Sequence, residues 1–464
     1  MQKSATAGKK FGSSQVRSKS FGGDRNNDRS FRSKDSGESR KPFFYGTLEN
    51  RGTSPRSERP SGGGFRSNNG SQRPNSGGYR QSGSGQRPIN NRRRMGENID
   101  INKFIKRPSD TQVAPVIIEN KFSDFDLVPE IHKNLLKKGY TIPTPIQDQT
   151  IKHIIEGRDI IGLANTGTGK TAAFLLPFIN KVFRNRREKV LIMAPTRELA
   201  LQIDTEFRHF SWDMKIFSVA CVGGTPIHKQ IMNLRRSPNF VIGTPGRLKD
   251  LSDRGMLKFS DFNNVVLDEV DRMLDMGFID EIKDILGQLQ EPRQSLFFSA
   301  TMPMKIKDLV NKFSKDPITV SIEVGETARN VDQDVVRVRD RAMKFLQLQE
   351  LLNKEELEKV LIFAETKREV EKLTKDLIIE GFKAESIHGD KRQGQRQQAL
   401  KLFKQDFVDI LVATDVAARG LDINDVSHVI NYTVPQTYND YIHRIGRTGR
   451  GNKKGHALTF VDAR

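Results

Sequence analysis

From Lys121 onward, short apolar runs alternate with longer amphipathic stretches. FSDFDLVPEIHKNLLKKGY predicts a helix entered at Pro129, with Ile131, Leu135 and Leu136 on one face and Gly139 as its stop. IPTPIQDQTIKHIIEG predicts a proline-led turn into a second helix. IIGL, VLIMAP, FSVACVGG, NFVIGTP, NVVLDEVD and SLFFSAT are buried-strand patterns that each end in a polar loop, with helical segments between them. That alternation predicts a parallel sheet covered by helices on both faces. Ligands of such sheets gather at the carboxyl ends of the strands, where the polar clusters sit here. SIEVGETARNVD, 321–332, breaks the rhythm and reads as a linker. A second strand–helix series follows: KVLIFAETKREVEKLTKDL, AESIHGD, QGQRQQALKLFKQ, VDILVATDVAARGLD, VSHVINYTVP and a last strand, ALTFVD. The expected class is α/β, with two similar sheets sharing one nucleotide.

One junction carries most of the chemistry. The run Ile160–Leu163 stops at Gly167, Thr168, Gly169, Lys170 and Thr171, and a mostly apolar helix pattern follows. Glycines let successive backbone N–H groups point inward, and the helix adds its positive end. Lys170 would reach the β- and γ-phosphates of a nucleotide, and the Thr171 hydroxyl would ligate Mg²⁺. The general phosphate-loop pattern begins with glycine, where this chain has Ala164. The simpler alternative is a glycine-rich strand-to-helix turn.

Two further clusters gain meaning from that loop. Asp268 and Glu269 follow a buried strand; they either precede a helix as caps or supply a metal ligand and a water-orienting carboxylate. Arg444, Arg447 and Arg450 sit three apart, so they form either a solvated basic stripe or a set of arginine fingers for γ-phosphate charge. The second reading would make hydrolysis depend on closure of two domains.

Charge changes the picture of the N-terminal region. The 464-residue chain carries a net charge of +20, and residues 1–100 hold 21 Lys and Arg against 8 Asp and Glu. Most of the excess therefore lies in a Ser-, Gly-, Arg- and Asn-rich stretch with almost no aliphatic clusters. It is expected to be disordered to residue 118. Its spaced aromatics, among them Phe65 and Tyr79 beside Gly and Arg, suit stacking on unpaired bases, against the alternative of a solvated linker. The single cysteine, Cys221, excludes an internal disulfide and a cysteine-based metal cluster, and fits a reducing, intracellular setting. No apolar run reaches membrane-spanning length.

Taken together, residues 120–464 resemble the DEAD-box ATP-dependent RNA helicases of superfamily two. The stretch 120–148 is similar to that family's Q motif, which implies that Gln147 reads adenine and Phe122 stacks on it. ANTGTGKT resembles motif I, where Ala164 is usual, and places Ala164, Asn165, Thr166, Gly167, Thr168, Gly169, Lys170 and Thr171 around the phosphates. Pro195, Thr196 and Arg197 of PTRELA, the pair Gly223 and Gly224, and Thr244, Pro245, Gly246 and Arg247 of TPGRL look like RNA-backbone motifs. DEVD, 268–271, matches motif II with Val270 in place of the usual alanine, and gives Asp268 to the metal with Thr171. Ser299 and Thr301 of SAT would couple ATP to RNA. In the second half, Gln393, Arg396 and Thr414 fall at RNA-contact positions, Asp422 at the ribose, and Arg447 and Arg450 at the arginine fingers.

The resemblance implies two tandem RecA-like domains, at 119–322 and 333–464, joined by a linker at 323–332. It implies ATP and Mg²⁺ as cofactors and RNA as the partner, gripped by its backbone with little sequence reading. The expected activity is ATP-driven closure on RNA with local duplex unwinding, in a core expected to be monomeric and cytoplasmic. The tail would anchor larger RNAs or ribonucleoprotein partners. An ATP-gated RNA clamp with little unwinding is the alternative, and a DNA translocase a more distant one. The chain stops soon after its last strand, at Arg464, where the family usually adds a closing helix.

Overall fold

The computed structural model describes residues 100–107, 118–322, 330–354, 357–418, 423, 426–449 and 454–463. All of them lie within the unit Ile89–Arg464. Two parallel sheets form the frame. The first holds β1 (Ile160–Leu163), β2 (Val190–Met193), β3 (Ser218–Cys221), β4 (Phe240–Gly243), β5 (Asn264–Asp268), β6 (Gln294–Ser299) and β7 (Ile318–Ser321), in the order β3-β4-β2-β5-β6-β1-β7. The second holds β8 (Val331–Val338), β9 (Val360–Phe363), β10 (Ala384–Ile387), β11 (Ile410–Ala413), β12 (His428–Asn431) and β13 (Gly455–Asp462), in the order β10-β11-β9-β12-β13-β8. Every strand pair within them is parallel, as in β1 against β6, where Ile160 faces Leu296.

Strands buried on both faces read as near-continuous apolar runs, and β2, β4, β5 and β6 are buried at every position, with polar residues only toward the ends of β5 and β6. Separate apolar layers lie on the two faces of each sheet. The predicted first helix runs Pro129–Lys137 with proline in its first turn, and Gly139 follows at φ +75°. Ile131 and Leu135 face the core, but Leu136 points out to solvent, because only the first two share the buried stripe.

Three boundaries differ from expectation. β7 was not anticipated, and β8 begins inside the expected linker, at Val331. Alternating charges in VDQDVVRV hide β8, since an edge strand exposes one face and half of its polar groups. Residues 100–107 were expected to be disordered, yet Ile101–Phe104 form a turn of 3₁₀-helix and Lys106 pairs with Gln333. The rest of the basic tail and residues 323–329 lie outside the described residues.

One pair on the second sheet makes that lobe acid-sensitive. His428 and His456 sit in register on β12 and β13 with their rings stacked at 4.8 Å. Burial, and then the neighbouring His456, push the His428 imidazole down to about 4. Its folded value is below its unfolded one, so its stabilising contribution is present above the unfolded value, about 6.5, and is lost as pH falls from there toward about 4. The fall in Tm between about pH 7 and about pH 5 should be smaller in His428→Gln than in the parent chain. An equal fall in both would assign the acid sensitivity to other groups.

Candidate nucleotide and RNA sites

Strand order decides which loops meet. β5, β6 and β1 are neighbours, so the loops after them bring Asp268 and Glu269, Ser299 to Thr301, and the 164–169 phosphate loop to one edge. β2, β4 and β3 carry Pro195 to Glu198, Thr244 to Arg247, and Gly223 with Gly224 to the other half of that same edge. One sheet end is thus divided into a nucleotide side and a second side rich in arginine.

On the nucleotide side, Lys170 opens the helix Lys170–Arg184, with Gly169 at its cap at φ +94°. A Cβ at Gly169 would collide with the Gln147 amide, so glycine is required there for space as well as for conformation. Lys170 Nζ donates to the Ala164 carbonyl at 2.7 Å and to that of Asn165 at 3.3 Å. Thr168 Oγ1 also donates to the Asn165 carbonyl, at 2.9 Å. The loop is thus held by its own cation, which an incoming phosphate would draw away. Thr166 and Gly167 form the loop's accessible crest, and Thr171 is the second residue of the helix.

Gln147 is buried and accepts from the Thr144 backbone N–H at 2.9 Å while its Nε2 donates to the Gly169 carbonyl at 3.0 Å. It therefore fastens the cap of the Pro145–Ile155 helix to the phosphate loop. Phe122 is a core residue, its ring 6.3 Å from those of both Phe125 and Tyr140.

The acids differ in role. Asp268 is buried, and its Oδ1 has no hydrogen-bond partner. Burial pushes its carboxyl up to about 7, opposed by the Lys170 ammonium and reinforced by Glu269. An orphaned buried carboxylate oxygen beside a phosphate loop fits a divalent cation. Among the described residues no three His, Cys, Asp or Glu side chains converge as metal donors. An ion would therefore rely on Asp268, Thr171, phosphate oxygens and water, the mode that suits Mg²⁺. Glu269 adopts a left-handed backbone, φ 54° and ψ 55°, which costs on the order of 1–3 kcal/mol and is a mark of functional sites. Its Oε2 lies 3.3 Å from Arg272 Nη1, an ion pair within one turn that is not a hydrogen bond.

Asp271 ties this acid loop to the next. Its Oδ2 accepts from the backbone N–H groups of Ala300 and Thr301 at 3.1 and 3.0 Å and from Thr301 Oγ1 at 3.1 Å. Ser299 Oγ in turn accepts from the Asp271 N–H and donates to the Thr301 carbonyl. Val270 is buried in the apolar layer, so its extra methyl groups are absorbed as core packing.

The second side opens into a cleft of about 440 Å³ lined by both lobes, including Thr196, Arg197, Gly223, Thr244, Gly246 and Arg247 from the first and Gly389, Arg396 and Val416 from the second. The Arg197 guanidinium lies over Gly224, at φ +75°, where any Cβ would strike it. Thr196 caps its helix by accepting from the Leu199 N–H, and Pro245 opens the helix Pro245–Asp253. Arg247 Nη1 is buried without a hydrogen-bond partner. Three arginines, Arg197, Arg247 and Arg396, line this one cleft, which favours an anionic ligand. Gln393 and Arg396 reach across the lobes: Gln393 Nε2 donates to Glu198 Oε1 at 2.9 Å, and Arg396 Nη2 lies 2.9 Å from Glu198 Oε2. Both were expected as RNA contacts; here they clasp the opposite lobe. Thr414 follows β11, and its carbonyl accepts from the Ala417 and Ala418 N–H groups at the start of Asp415–Ala418.

Arg444 does not share a role with Arg447. Its Nε and Nη2 bond both oxygens of Asp415 at 2.6 Å, and its Nη1 donates to Asn431 and to the Thr433 carbonyl. It is a structural anchor, which the three-residue spacing could not reveal. Arg447 is buried at the turn just beyond it. Arg450 and Asp422 lie outside the described residues. Glu198, Asp271 and Asp415 were missed as site residues; each lies inside a motif that was read, but its partner is far away in sequence.

A phosphate loop, an acid pair and an arginine-lined cleft at the meeting of two parallel sheets define a two-lobed, nucleotide-driven motor of the helicase type. The family models agree: DEAD/DEAH box helicase matches residues 144–309, and helicase conserved C-terminal domain matches 343–452. The chain is 46% identical over 346 residues to the ATP-dependent RNA helicase CshA of Listeria monocytogenes, covering 74% of this chain and 66% of that one. It is 44% identical over 345 residues to the DEAD-box ATP-dependent RNA helicase CshA of Bacillus subtilis, covering 74% and 70%. S. cerevisiae Dbp5 bound to RNA and ADP BeF3 superposes with a TM-score of 0.67 at 30% identity, covering 75% of this chain and 90% of that one. Mss116p bound to ssRNA and AMP-PNP gives 0.67 at 33%, covering 74% of each. The chain belongs to the DEAD-box family of ATP-dependent RNA helicases.

The clasp yields a test. Leaving Arg396 buried without Glu198 would cost on the order of 3–5 kcal/mol, so the lobes should part instead. Glu198→Gln should lower the closed fraction, read by a fluorophore pair on the two lobes with RNA and a non-hydrolysable ATP analogue. ATP affinity should stay within about twofold. A double-mutant cycle with Arg396→Ala should return about 0.5–3 kcal/mol of coupling; additive effects would dissolve the clasp.

Proposed function

We propose that this chain is an RNA-dependent ATPase that closes its two lobes on RNA and unwinds short duplexes locally. The observation that carries the reading is the buried Glu198 clasp. It joins the lobes beside the arginine-lined cleft, on the same sheet end as the nucleotide residues. ATP on the 164–171 loop would engage Lys170, with Mg²⁺ held by Asp268 and Thr171 to neutralise phosphate charge. Glu269 would orient or deprotonate the attacking water, and Arg447 and Arg450 would meet the charge that develops on the γ-phosphate. Asp271 would carry the state of the acid loop to Ser299 and Thr301, because the two loops share its carboxylate.

RNA would lie against Arg197, Arg247 and the Gly223–Gly224 turn, bound through phosphates and 2′-hydroxyls. A strand bent to fit both lobes cannot keep its partner, which is the source of unwinding in this reading. The basic segment 1–100 would add salt-sensitive, sequence-tolerant anchoring to larger RNAs. Cys221, buried and with its thiol pushed up to about 12 chiefly by that burial, is inert packing and suits the cytoplasm.

Steady-state ATPase should rise strongly with single-stranded RNA and little with matched DNA; equal stimulation by DNA would overturn the RNA assignment. Glu269→Gln should retain ATP binding, lose on the order of 10²–10⁴-fold in turnover and accumulate RNA-bound protein. Lys170→Ala should lose on the order of 10²-fold or more in kcat/KM for ATP. Full activity in either variant would remove the phosphate-loop mechanism.

A further inference from the structure

Phe104 lies ahead of the first lobe in sequence but is built into the second. It is 1% exposed and packs with Val331, Tyr441, Ile445 and Ala457. Its ring centroid is 4.7 Å from that of Tyr441. Two residues on, Lys106 pairs with Gln333 at the free edge of the second sheet: the Lys106 N–H donates to the Gln333 carbonyl at 3.0 Å, and the Lys106 carbonyl accepts from the Gln333 N–H at 2.8 Å. Gln333 also accepts from the Tyr441 hydroxyl at 3.0 Å, and Lys103 Nζ lies 5.5 Å over the Tyr438 ring. By Asn120 the chain is already bonded to Asp148 of the first lobe, at 2.8 Å.

Tyr438, Tyr441 and Ile445 are spaced along one side of the helix Tyr438–Ile445. Arg444, three residues on from Tyr441 and so beside it, is locked to a different partner, Asp415. The helix is therefore held at two points, by an ion pair inside the lobe and by an apolar plug from the N-terminal segment. Arg447 sits in the turn that follows, so its placement depends on both. We propose that Asp100–Lys106 is a strap whose Phe104 is a positioning residue for the arginine-bearing end of this helix in ATP hydrolysis. The proposal rests on the ATPase reading above. It makes the second lobe's catalytic arginine dependent on chain that precedes the first lobe.

The test uses the full chain. Phe104→Ala should lower RNA-stimulated kcat by roughly tenfold, within the roughly 10²-fold that a misplacement of about 1 Å can cost. KM for ATP and RNA affinity should stay within about twofold, and Phe104→Leu should restore most of the rate. Should Phe104→Ala unfold the lobe, Lys106→Pro supplies a second arm. It removes one strap N–H donor without touching the apolar plug, and should lower kcat in the same direction by less. Hydrogen exchange of the unliganded chain gives a readout independent of catalysis: backbone amides of Tyr441 to Ile445 should exchange faster in either variant. Unchanged exchange would overturn the strap whatever the ATPase shows. Faster exchange with unchanged kcat, in a parent chain that RNA stimulates, would overturn the positioning role. A parent chain that RNA does not stimulate would overturn both the ATPase reading and that role, while exchange would still report whether the strap grips the helix.

Discussion

Parallel strands of one sheet all end at the same edge, and the chemistry of each lobe depends on that constraint. A strand that points its carboxyl end at the cleft delivers its following loop there, whatever lies between strands in sequence. The order β3-β4-β2-β5-β6-β1-β7 then sorts those loops into two groups without any further device. In the proposed function, loops after β5, β6 and β1 would handle phosphate and metal, and loops after β2, β4 and β3 the polyanion. The border falls between β2 and β5, neighbouring strands about 4.8 Å apart, so the two groups of loops begin side by side. Asp271, bonded to three donors of the neighbouring loop, stands on the nucleotide side and ties that loop to the acid pair.

Buried charge gives the arrangement its two-state character. Glu198 and Arg396 are both buried once the lobes meet, and neither is tolerable there alone. The pair therefore disfavours half-closed geometries, in which desolvation is complete but the contact is not. Burial drags Arg396 below its ordinary value, with Glu198 pulling the other way and Arg197 adding repulsion. An RNA phosphate arriving between these arginines would offset that repulsion, and closure would become cheaper in its presence. RNA dependence thus follows from electrostatics at the lobe contact as much as from contact area.

Much of the frame was legible in the sequence, because parallel-sheet strands are short apolar runs and their terminal loops are polar. The phosphate loop and the acid pair are read from local pattern, the turns at Pro195, Gly223 and Thr244 from the family resemblance, and each sits where the strand order brings it. What escaped was pairing at a distance. Glu198 looks like an ordinary helix-start acid until Arg396, nearly two hundred residues later, folds over it. Arg444 looks like a sibling of Arg447 until Asp415 is seen to hold it. β8 was hidden by its polar face, and Phe104 by a basic, glycine-rich stretch whose composition speaks for disorder.

That last miss has a physical lesson for how the lobes are built. The Tyr438–Ile445 helix is short, two turns, and isolated helices of that length do not hold themselves. Its position has to come from packing. Inside the lobe, Arg444 supplies a strong but directional tether, which fixes one point and leaves rotation about it. The aromatic plug of Phe104 on Tyr441 fixes a second point, one turn earlier on the helix, and the Lys106–Gln333 bridge anchors the plug to the sheet edge. Two points restrain the helix where one would let it turn, and the turn carrying Arg447 lies directly beyond them. The N-terminal segment therefore belongs to the catalytic frame of the second lobe, although the sequence places it ahead of the first.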